Sequence, residues 1–420
     1  MTIIVIVNPF ESHFLALLDF VDTMQMKGYD LLFLGYKKIS NYIENYTYKY
    51  VQFKTCDTEP NMKNTLTRDA FNNELRELLS SYGNPFVLIP VSRFWLYFDV
   101  VYDMKLQFLL YSLCCGADRI NSICPPNTSG FFPKKYGRKS ILVLALWIRR
   151  YIRMELYSYR QWKCSQILAF IDCWFRFKEK LIYGLDGFYL DYPKIVFGPR
   201  EFNLYNNSSN FFWGLGVAQM RETKSFEYKK IGKKNIYCTF GTMSYRYSKM
   251  PALIDLLLYV VSKHSEWNLV LQIQDSNFRI KQNYDNVTVV ERINQLDIIK
   301  EFDVVIFHGG FGTLKECIYY ATPVLVFPCS YDQHGNAARV EYFQIGIRSK
   351  ALTKSIIDRV TKQKTINLCA EELDEMISKL LYESQYRKNM EALRNKIIDE
   401  NAKEKEKIIN YINGCMQDAK

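Results

Sequence analysis

A short apolar strand that leads directly into a glycine-rich turn and a helix is the feature that most constrains the fold. Residues 304–307 read Val-Val-Ile-Phe, the turn 308–312 follows, and a helix is predicted from residue 313 to about 320. A second buried strand is predicted at residues 323–327, before the loop 328–332. Parallel strands need a long crossover, usually a helix, and this spacing supplies one.

The same alternation of strands and helices is predicted elsewhere in the chain. In the second half we expect strands at 235–240, 268–273 and 287–290 and helices at 251–262 and 295–300. In the first half we expect a helix from about 14 to 27 and strands at 3–7, 31–35, 86–91, 106–111, 195–198 and 211–213. Such a chain is an α/β protein whose sheets bind ligands at the carboxyl ends of their strands.

The glycine turn has the chemistry of a phosphate site. The first N–H groups of a helix have no partner within the helix and carry the positive end of its dipole. They can therefore bind a phosphate, to which Thr313 can add a hydroxyl and His308 a ring N–H. Taken alone, a glycine turn can equally be a tightly packed strand-to-helix connection.

Polar residues at fixed positions after the turn extend this reading from phosphate to nucleotide sugar. Glu316 lies one helical turn on, where it can accept hydrogen bonds from ribose hydroxyls. Asp332 and Gln333 follow the next strand and suit several sugar hydroxyls. This ordered set of polar residues indicates a nucleotide-sugar site far more specifically than the glycines alone.

The segment 304–346 resembles the donor-binding signature of the UDP-glycosyltransferase family, closest to its bacterial macrolide-glycosyltransferase branch, which writes the turn H-G-G-x-G-T. Weaker matches in the same order are the segments 237–242, 293–296, 195–202 and 210–214. The resemblance implies an inverting transferase of the GT-B fold, with two Rossmann-like domains whose parallel sheets face a cleft.

The resemblance also implies roles for individual residues. The diphosphate would be held by His308, Gly310, Gly312 and Thr313, with Thr242 closing from the other side. Glu316 would hold the ribose, and Asp332 and Gln333 the sugar. The base would lie on the segment of Arg292, Ile293 and Gln295, where Arg292 replaces the stacking Trp of many relatives and leaves uracil or thymine open.

His13 is the candidate general base, because it follows the first strand where the family places its Gly-His pair. Ser12 stands here in place of that glycine, and the alternative is a histidine that only caps the helix. The family orients its histidine with an aspartate, but this chain has Ser92 at that point. Either Ser92 or Asp99 substitutes, or His13 works unassisted, or the enzyme is slow or inactive.

The resemblance and the polar, lysine-rich stretch before residue 235 together suggest a domain organisation. Residues 1–214 would bind the acceptor, residues 215–234 would form a linker, and residues 235–390 would bind the nucleotide sugar. Residues 391–420 would form a helix that crosses back to the N-terminal domain.

Positive charge is concentrated in one segment. The chain has a formal net charge of +11, and residues 138–180 hold ten Lys and Arg against three acidic residues, among many aromatics. This segment could take an apolar, lipid-like acceptor from a membrane surface, or it could be a pair of ordinary amphipathic helices. Because no nucleic-acid-binding module accompanies the charge, a nucleic-acid partner is not expected.

Location and cofactors follow from what the sequence lacks. The apolar run 3–7 is too short for a signal peptide, and no run approaches the roughly 20 residues needed to span a bilayer. The 11 cysteines include no C-x-x-C pair. We therefore expect a cytoplasmic protein, peripheral at the inner membrane face if it meets lipid, with reduced thiols, no metal and no cofactor besides its nucleotide-sugar substrate.

These inferences predict a hexosyltransferase. It would move a hexose, from UDP-glucose by default, to a hydroxyl of a small hydrophobic or aromatic acceptor, with a histidine as general base. The alternatives are a transferase acting on a lipid at the membrane surface, a sugar-nucleotide epimerase on a similar scaffold, and a non-catalytic protein that binds sugar nucleotides.

Overall fold

In a computed structural model, the chain forms two compact units. The first unit comprises residues 1–126, 135–222 and 399–420, and the second comprises residues 127–134 and 223–398. The structure describes residues 2–43, 46, 48–57, 65–115, 126, 129–130, 141–162, 181–184, 187–202, 210–214, 216–217, 234–241, 247–273, 284–291, 293–352 and 366–417.

The first unit is built on a parallel sheet. Its described strands are β1 (Thr2–Ile6), β2 (Asp30–Gly35), β3 (Lys49–Gln52), β4 (Phe86–Pro90), β5 (Phe108–Ser112), β6 (Leu181–Gly184), β7 (Gly187–Leu190), β8 (Lys194–Phe197) and β9 (Asn210–Gly214). Seven of them form the sheet in the order β3-β2-β1-β4-β5-β8-β9, and β6 pairs with β7 in an antiparallel hairpin.

The second unit is built on a six-stranded parallel sheet. Its strands are β10 (Lys234–Thr239), β11 (Trp267–Gln272), β12 (Val287–Val290), β13 (Val304–Phe307), β14 (Val324–Val326) and β15 (Gly346–Arg348). They are ordered β12-β11-β10-β13-β14-β15. The central strands are almost wholly apolar because helices cover both faces of such a sheet.

Helices connect the strands of both units. The first unit contains α1 (Glu11–Leu15), α2 (Leu18–Met26), α3 (Lys37–Ile43), α4 (Thr65–Ser80), α5 (Phe94–Asp103) and α6 (Ile141–Trp162). The chain continues with α7 (Met250–Ser262), α8 (Gln295–Ile299), α9 (Phe311–Tyr319), α10 (Gln333–Tyr342), α11 (Ala370–Tyr382) and α12 (Ser384–Gln417). The last helix begins in the second unit, and its residues from 399 onward belong to the first.

The core of the first unit lies on both faces of its sheet. On one face Phe14 and Val21 pack with Ile408 of α12, and Nζ of Lys405 lies 2.7 Å from a carboxylate oxygen of Asp19 on α2. On the other face side chains of α4 and α5, such as the fully buried Leu75, pack against β1. The C-terminal residues of α12 are thus part of this core.

Both sheets reverse their winding direction at one point. In the first unit β2 and β3 lie on one side of β1, and β4 lies on the other. In the second unit β11 and β12 lie on one side of β10, and β13 lies on the other. Ligands of open parallel sheets bind in the crevice outside the carboxyl ends of the strands at such a point. Candidate sites are therefore expected after β1 and β4, and after β10 and β13.

The predicted α/β class with two parallel sheets is confirmed, and most strands lie within two residues of their expected positions. The single helix expected at 14–27 is two helices, α1 and α2, and α9 begins two residues earlier than expected. Most of the expected linker 215–234 lies outside the described residues.

The first half of the chain contributes a short segment to the second unit. Residues 127–134 belong there, although the sequence places them within an N-terminal domain of residues 1–214. In this segment the carbonyl oxygen of Gly130 accepts a hydrogen bond of 2.7 Å from the Arg348 guanidinium. This long-range contact has no local signal in the sequence.

Candidate active site

The glycine turn after β13 is held in place by close packing. Gly309 has a φ of +86°, in the left-handed region that favours glycine. A β-carbon there would lie 2.9 Å from Cγ1 of Val326 and 3.1 Å from the carbonyl oxygen of Gln333. The turn thus passes closely between the end of β14 and the start of α10, and it leads into α9 through Gly310.

The imidazole of His308 lies over the backbone of two glycines. A β-carbon on Gly310 would lie 2.5 Å from Nε2 of His308, and one on Gly241 would lie 2.9 Å from Cε1. Gly241 follows β10, whose last residue pairs with Phe307 at the end of β13. The glycines therefore leave room for the ring beside the switch point of this sheet.

His308 is neutral at physiological pH. Burial lowers the pKa of His308 to about 4, although a backbone hydrogen bond to Thr239 opposes that shift. A neutral imidazole can donate one N–H but carries no positive charge. The first N–H groups and the dipole of α9 can supply an attraction for an anion at this site.

Asn336 connects the glycine turn to the start of α10. It is fully buried, and its Nδ2 donates to the carbonyl oxygen of Gly309 (3.0 Å) and to Oδ2 of Asp332 (2.9 Å). The side chain of Asp332 is thus oriented by an amide that also fixes the turn. This link joins two groups that the sequence assigns separately to diphosphate and sugar.

The loop before α10 is shaped by Gln333. Its Oε1 accepts hydrogen bonds of 2.9 Å from the backbone N–H groups of Cys329 and Ser330, so that the NH₂ end of the amide is directed away from the loop. Tyr331, between Ser330 and Asp332, has a φ of +47° and is 75% exposed. The predicted sugar-reading pair is therefore part of an ordered loop.

The predicted base-binding segment lies beside the turn. Oγ1 of Thr313 donates to Oε1 of Gln295 at 3.2 Å, so the start of α9 contacts the start of α8. Ile293, just before α8, is largely buried, and Gly312 on the other helix is exposed. Two residues predicted for this site, Thr242 and Arg292, lie outside the described residues.

Glu316, the predicted ribose contact, is deeply buried. It is 4% exposed and lies on α9, close enough to Tyr237 of β10 to affect its ionisation. Burial raises the pKa of Tyr237 well above its ordinary value, and the carboxylate of Glu316 adds to that rise. The hydroxyl of Tyr237 in turn donates to Gln272 at the end of β11.

The first unit has its own polar group at its switch point. Nδ2 of Asn8, just after β1, lies 3.1 Å from Nδ1 of His13 and donates to Oγ of Ser92 at 2.8 Å. Ser92 follows β4, the parallel neighbour of β1. The strand order thus brings together His13 and one of its two candidate partners through a residue that the sequence did not indicate.

The orientation of the Asn8 amide decides what His13 can do. In the orientation described, Nδ2 faces the histidine, and Oδ1 is buried with no partner among the described residues. Rotation of the amide by half a turn would direct Oδ1 at His13 and Ser92, and the two orientations occupy the same space. With the oxygen there, Nδ1 of His13 carries the proton and Nε2 can accept one.

Asp99, the other candidate partner of His13, lies on α5 and is half-buried. Phe10 lies against the histidine, with a distance of 5.0 Å between ring centroids. The link from His13 to the end of β4 runs through Asn8 and Ser92. Asn8 is thus the organising residue that sequence reasoning missed, whereas Asn336 belongs to the sequence signature without a role assigned to it.

Known glycosyltransferases resemble this chain in sequence and in fold. Residues 249–411 match the model of the glycosyltransferase family 28 C-terminal domain. The chain is 27% identical over 150 residues to a zeaxanthin glucosyltransferase of Pantoea ananas, covering 33% of this chain and 34% of that protein. It is 27% identical over 124 residues to an oleandomycin glycosyltransferase of Streptomyces antibioticus, covering 29% and 28%. In these matches the chain spans about a third of the length of each relative.

A solved structure extends the comparison to the whole fold. The glycosyltransferase of kitacinnamycin aligns with 99% of this chain and 98% of its own, with a TM-score of 0.68 and 14% identity. The resemblance to these glycosyltransferases is confirmed. The two parallel sheets are those of the GT-B fold.

Proposed function

We propose that this protein is an inverting glycosyltransferase, which moves a hexose from a nucleoside diphosphate sugar to a hydroxyl of a small hydrophobic acceptor. The observation that carries the proposal is the single hydrogen-bonded assembly of the glycine turn, Asn336 and Asp332 at the switch point of the second sheet. It places a helix N-terminus, suited to a diphosphate, next to a carboxylate suited to sugar hydroxyls.

The donor would be bound mainly by backbone groups. The first N–H groups of α9 and the hydroxyl of Thr313 bind the diphosphate, and neutral His308 donates a hydrogen bond to it. Asp332 and Gln333 bind the sugar, Glu316 binds the ribose, and Ile293 and Gln295 lie along the base. UDP-glucose is the default donor, and the choice between uracil and thymine as its base stays open.

The transfer step would use His13 as general base. The acceptor oxygen attacks the anomeric carbon while its proton passes to Nε2 of His13, and the bond from that carbon to the diphosphate oxygen breaks. The electron pair leaves with the diphosphate, and attack from the opposite face inverts the configuration. Asn8, with its oxygen directed at Nδ1, would hold the ring in the tautomer that accepts this proton.

We propose that no metal or further cofactor takes part, because the helix N-terminus and the hydrogen-bond donors around it would stabilise the leaving diphosphate. The reaction would take place in the cytoplasm. The acceptor would be a small hydrophobic or aromatic molecule, in keeping with the aromatic segment 138–180.

One observation favours a second candidate, a protein that binds sugar nucleotides without turning them over. Ser92 and Asn8 are neutral, whereas a carboxylate would stabilise a protonated His13 far more strongly. In that case the second unit would bind nucleotide as proposed, and His13 would be dispensable.

A screen of donors and acceptors separates the two candidates. UDP-glucose and TDP-glucose are each incubated with a panel of phenolic, polyketide and lipid alcohols, and products are read by mass spectrometry. The proposed function predicts a glycoside that is lost in His13→Ala, while calorimetry shows the same affinity of wild type and variant for UDP. Nucleotide binding without any product across the panel would establish the binding protein instead.

A further inference from the structure

We propose that the outward face of helix α6 docks the protein onto an anionic lipid bilayer. The helix runs from Ile141 to Trp162 in the first unit. Its inward face is held by Val143 and Trp147, both fully buried. The opposite face is open to solvent and, unusually for an exposed face, is apolar.

The exposed apolar side chains form a continuous row. Leu144, Ile148, Ile152 and Leu156 follow one another at intervals of four residues, which places them on one face of the helix. Their side chains are 41%, 53%, 51% and 55% exposed, and Ile141 near the start of the same face is 89% exposed. Scattered exposed hydrophobic residues are normal, but a contiguous apolar patch marks an interaction surface.

Arginines lie along one edge of this row. Arg149 and Arg153 are exposed and are themselves four residues apart, so they form a neighbouring row. Together with Ala145, Ile148 and Ile152 they line one shallow open depression. Residues 141–156, which span the row, contain three arginines and one acidic residue, Glu155. The edge of the apolar row is therefore positively charged.

Charge complementarity identifies the occupant as an anionic membrane. A basic amphipathic helix lies in the bilayer interface with its apolar side chains among the acyl chains and its cations at anionic headgroups. Among the described residues, no helix is both long and apolar enough to cross a bilayer. The helix would accordingly lie on the membrane without spanning it.

Other occupants fit the charge less well. A second copy of this chain would bring its own arginines against Arg149 and Arg153. The segment 163–180 of the same chain is itself basic, with four Lys and Arg against two acidic residues. An acidic protein would match the charge but would need a complementary surface, whereas a bilayer needs only a row of apolar side chains beside cations.

Sedimentation with lipid vesicles tests the proposal in the full-length protein. We expect the wild type to sediment with vesicles of equal parts phosphatidylglycerol and phosphatidylcholine, and to stay largely in solution with phosphatidylcholine alone. Ile148→Glu with Ile152→Glu should weaken binding about tenfold or more, because two charges would enter the apolar interface. Met26→Glu is the matched control, since Met26 is 80% exposed in the same unit but lies on α2.

A second variant covers the case in which the double glutamate variant fails to fold. Arg149→Gln with Arg153→Gln keeps the apolar row and should lower binding to anionic vesicles and its salt dependence. The proposal is overturned if the wild type ignores both vesicles, or if Met26→Glu weakens binding equally. It is also overturned if light scattering shows a dimer that the Ile148→Glu and Ile152→Glu changes dissociate, because the occupant is then a second copy.

Discussion

The side-chain nitrogen of Asn8 lies 3.1 Å from Nδ1 of His13. In the proposed reaction the amide must turn its oxygen to that nitrogen, so that the opposite nitrogen of the ring accepts the acceptor's proton. Asn8 also donates to Ser92, which stands where an orienting aspartate is expected. Because Asn8 acts on the proposed reaction only through His13, it is a positioning residue.

Asn8→Ala should lower kcat by about 10²-fold, within the range that general base catalysis contributes. The Kd for UDP should not change, because the donor residues lie in the second unit. Asn8→Asp should retain or raise kcat, since a carboxylate can accept from Nδ1 and also stabilise the protonated ring. If Asn8→Asp is as slow as Asn8→Ala, the amide does not position His13.

Two glycines of the donor turn should respond differently to alanine. Gly310→Ala would place a β-carbon 2.5 Å from Nε2 of His308, so the variant should displace the ring and weaken UDP binding. In Gly312→Ala the added carbon meets no atom within 4 Å outside its own helix and chain neighbours, so the Tm should be at least that of the wild type. Differential scanning calorimetry and titration with UDP measure both effects.

Gly312→Ala also tests where the diphosphate lies. If the diphosphate covers the exposed start of α9, the added methyl group should weaken UDP binding even though it does not lower the Tm. An unchanged Kd would mean that the nucleotide does not approach Gly312, and the proposed donor pose would have to be abandoned.

Asn336→Ala should cost about 1–3 kcal/mol of unfolding free energy, because its buried amide holds the carbonyl of Gly309 and the carboxylate of Asp332. UDP-glucose binding should weaken as well. Asn389→Ala is the matched control, since its amide donates to the carbonyl of Gln344 on the surface and its loss should change stability by less than about 0.5 kcal/mol. If chemical denaturation shows that the two variants lose the same unfolding free energy, Asn336 does not have this structural role.

His308 should make stability depend on pH. Its pKa is about 4 in the folded chain and near 6.5 in the unfolded chain, so between these values the unfolded state binds more protons. The unfolding free energy should therefore fall as the pH drops from 6.5 to 4, by at most about 1.4 kcal/mol per pH unit for this group. Urea denaturation across this range should show a shallower slope in His308→Asn, while an identical slope would contradict a neutral, half-buried ring.

Much of the fold follows from local sequence patterns. The apolar runs that form β1, β4 and β13 were predicted within a residue, because buried parallel strands are short, apolar and bounded by turns. The break between α1 and α2 was missed because the intervening Leu17 keeps a helical conformation and is fully buried. Local composition gives no sign of a break there.

The candidate site was only partly predictable for a different reason. The glycine turn and Thr313 lie close together in sequence, so their pattern is readable. Asn8 and Ser92 are 84 residues apart and meet only because β4 lies beside β1. Asn336 reaches Gly309 across 27 residues for the same reason. Without the strand order, such partners cannot be identified.

The central claim is that His13 activates an acceptor hydroxyl while the second unit holds the donor. The most direct measurement is the rate at which wild type and His13→Ala release nucleoside diphosphate from a nucleotide sugar, with an acceptor that the screen identifies. The account predicts a loss of about 10²-fold or more in kcat for the variant, with the same affinity for UDP. Equal rates in the two proteins would contradict it.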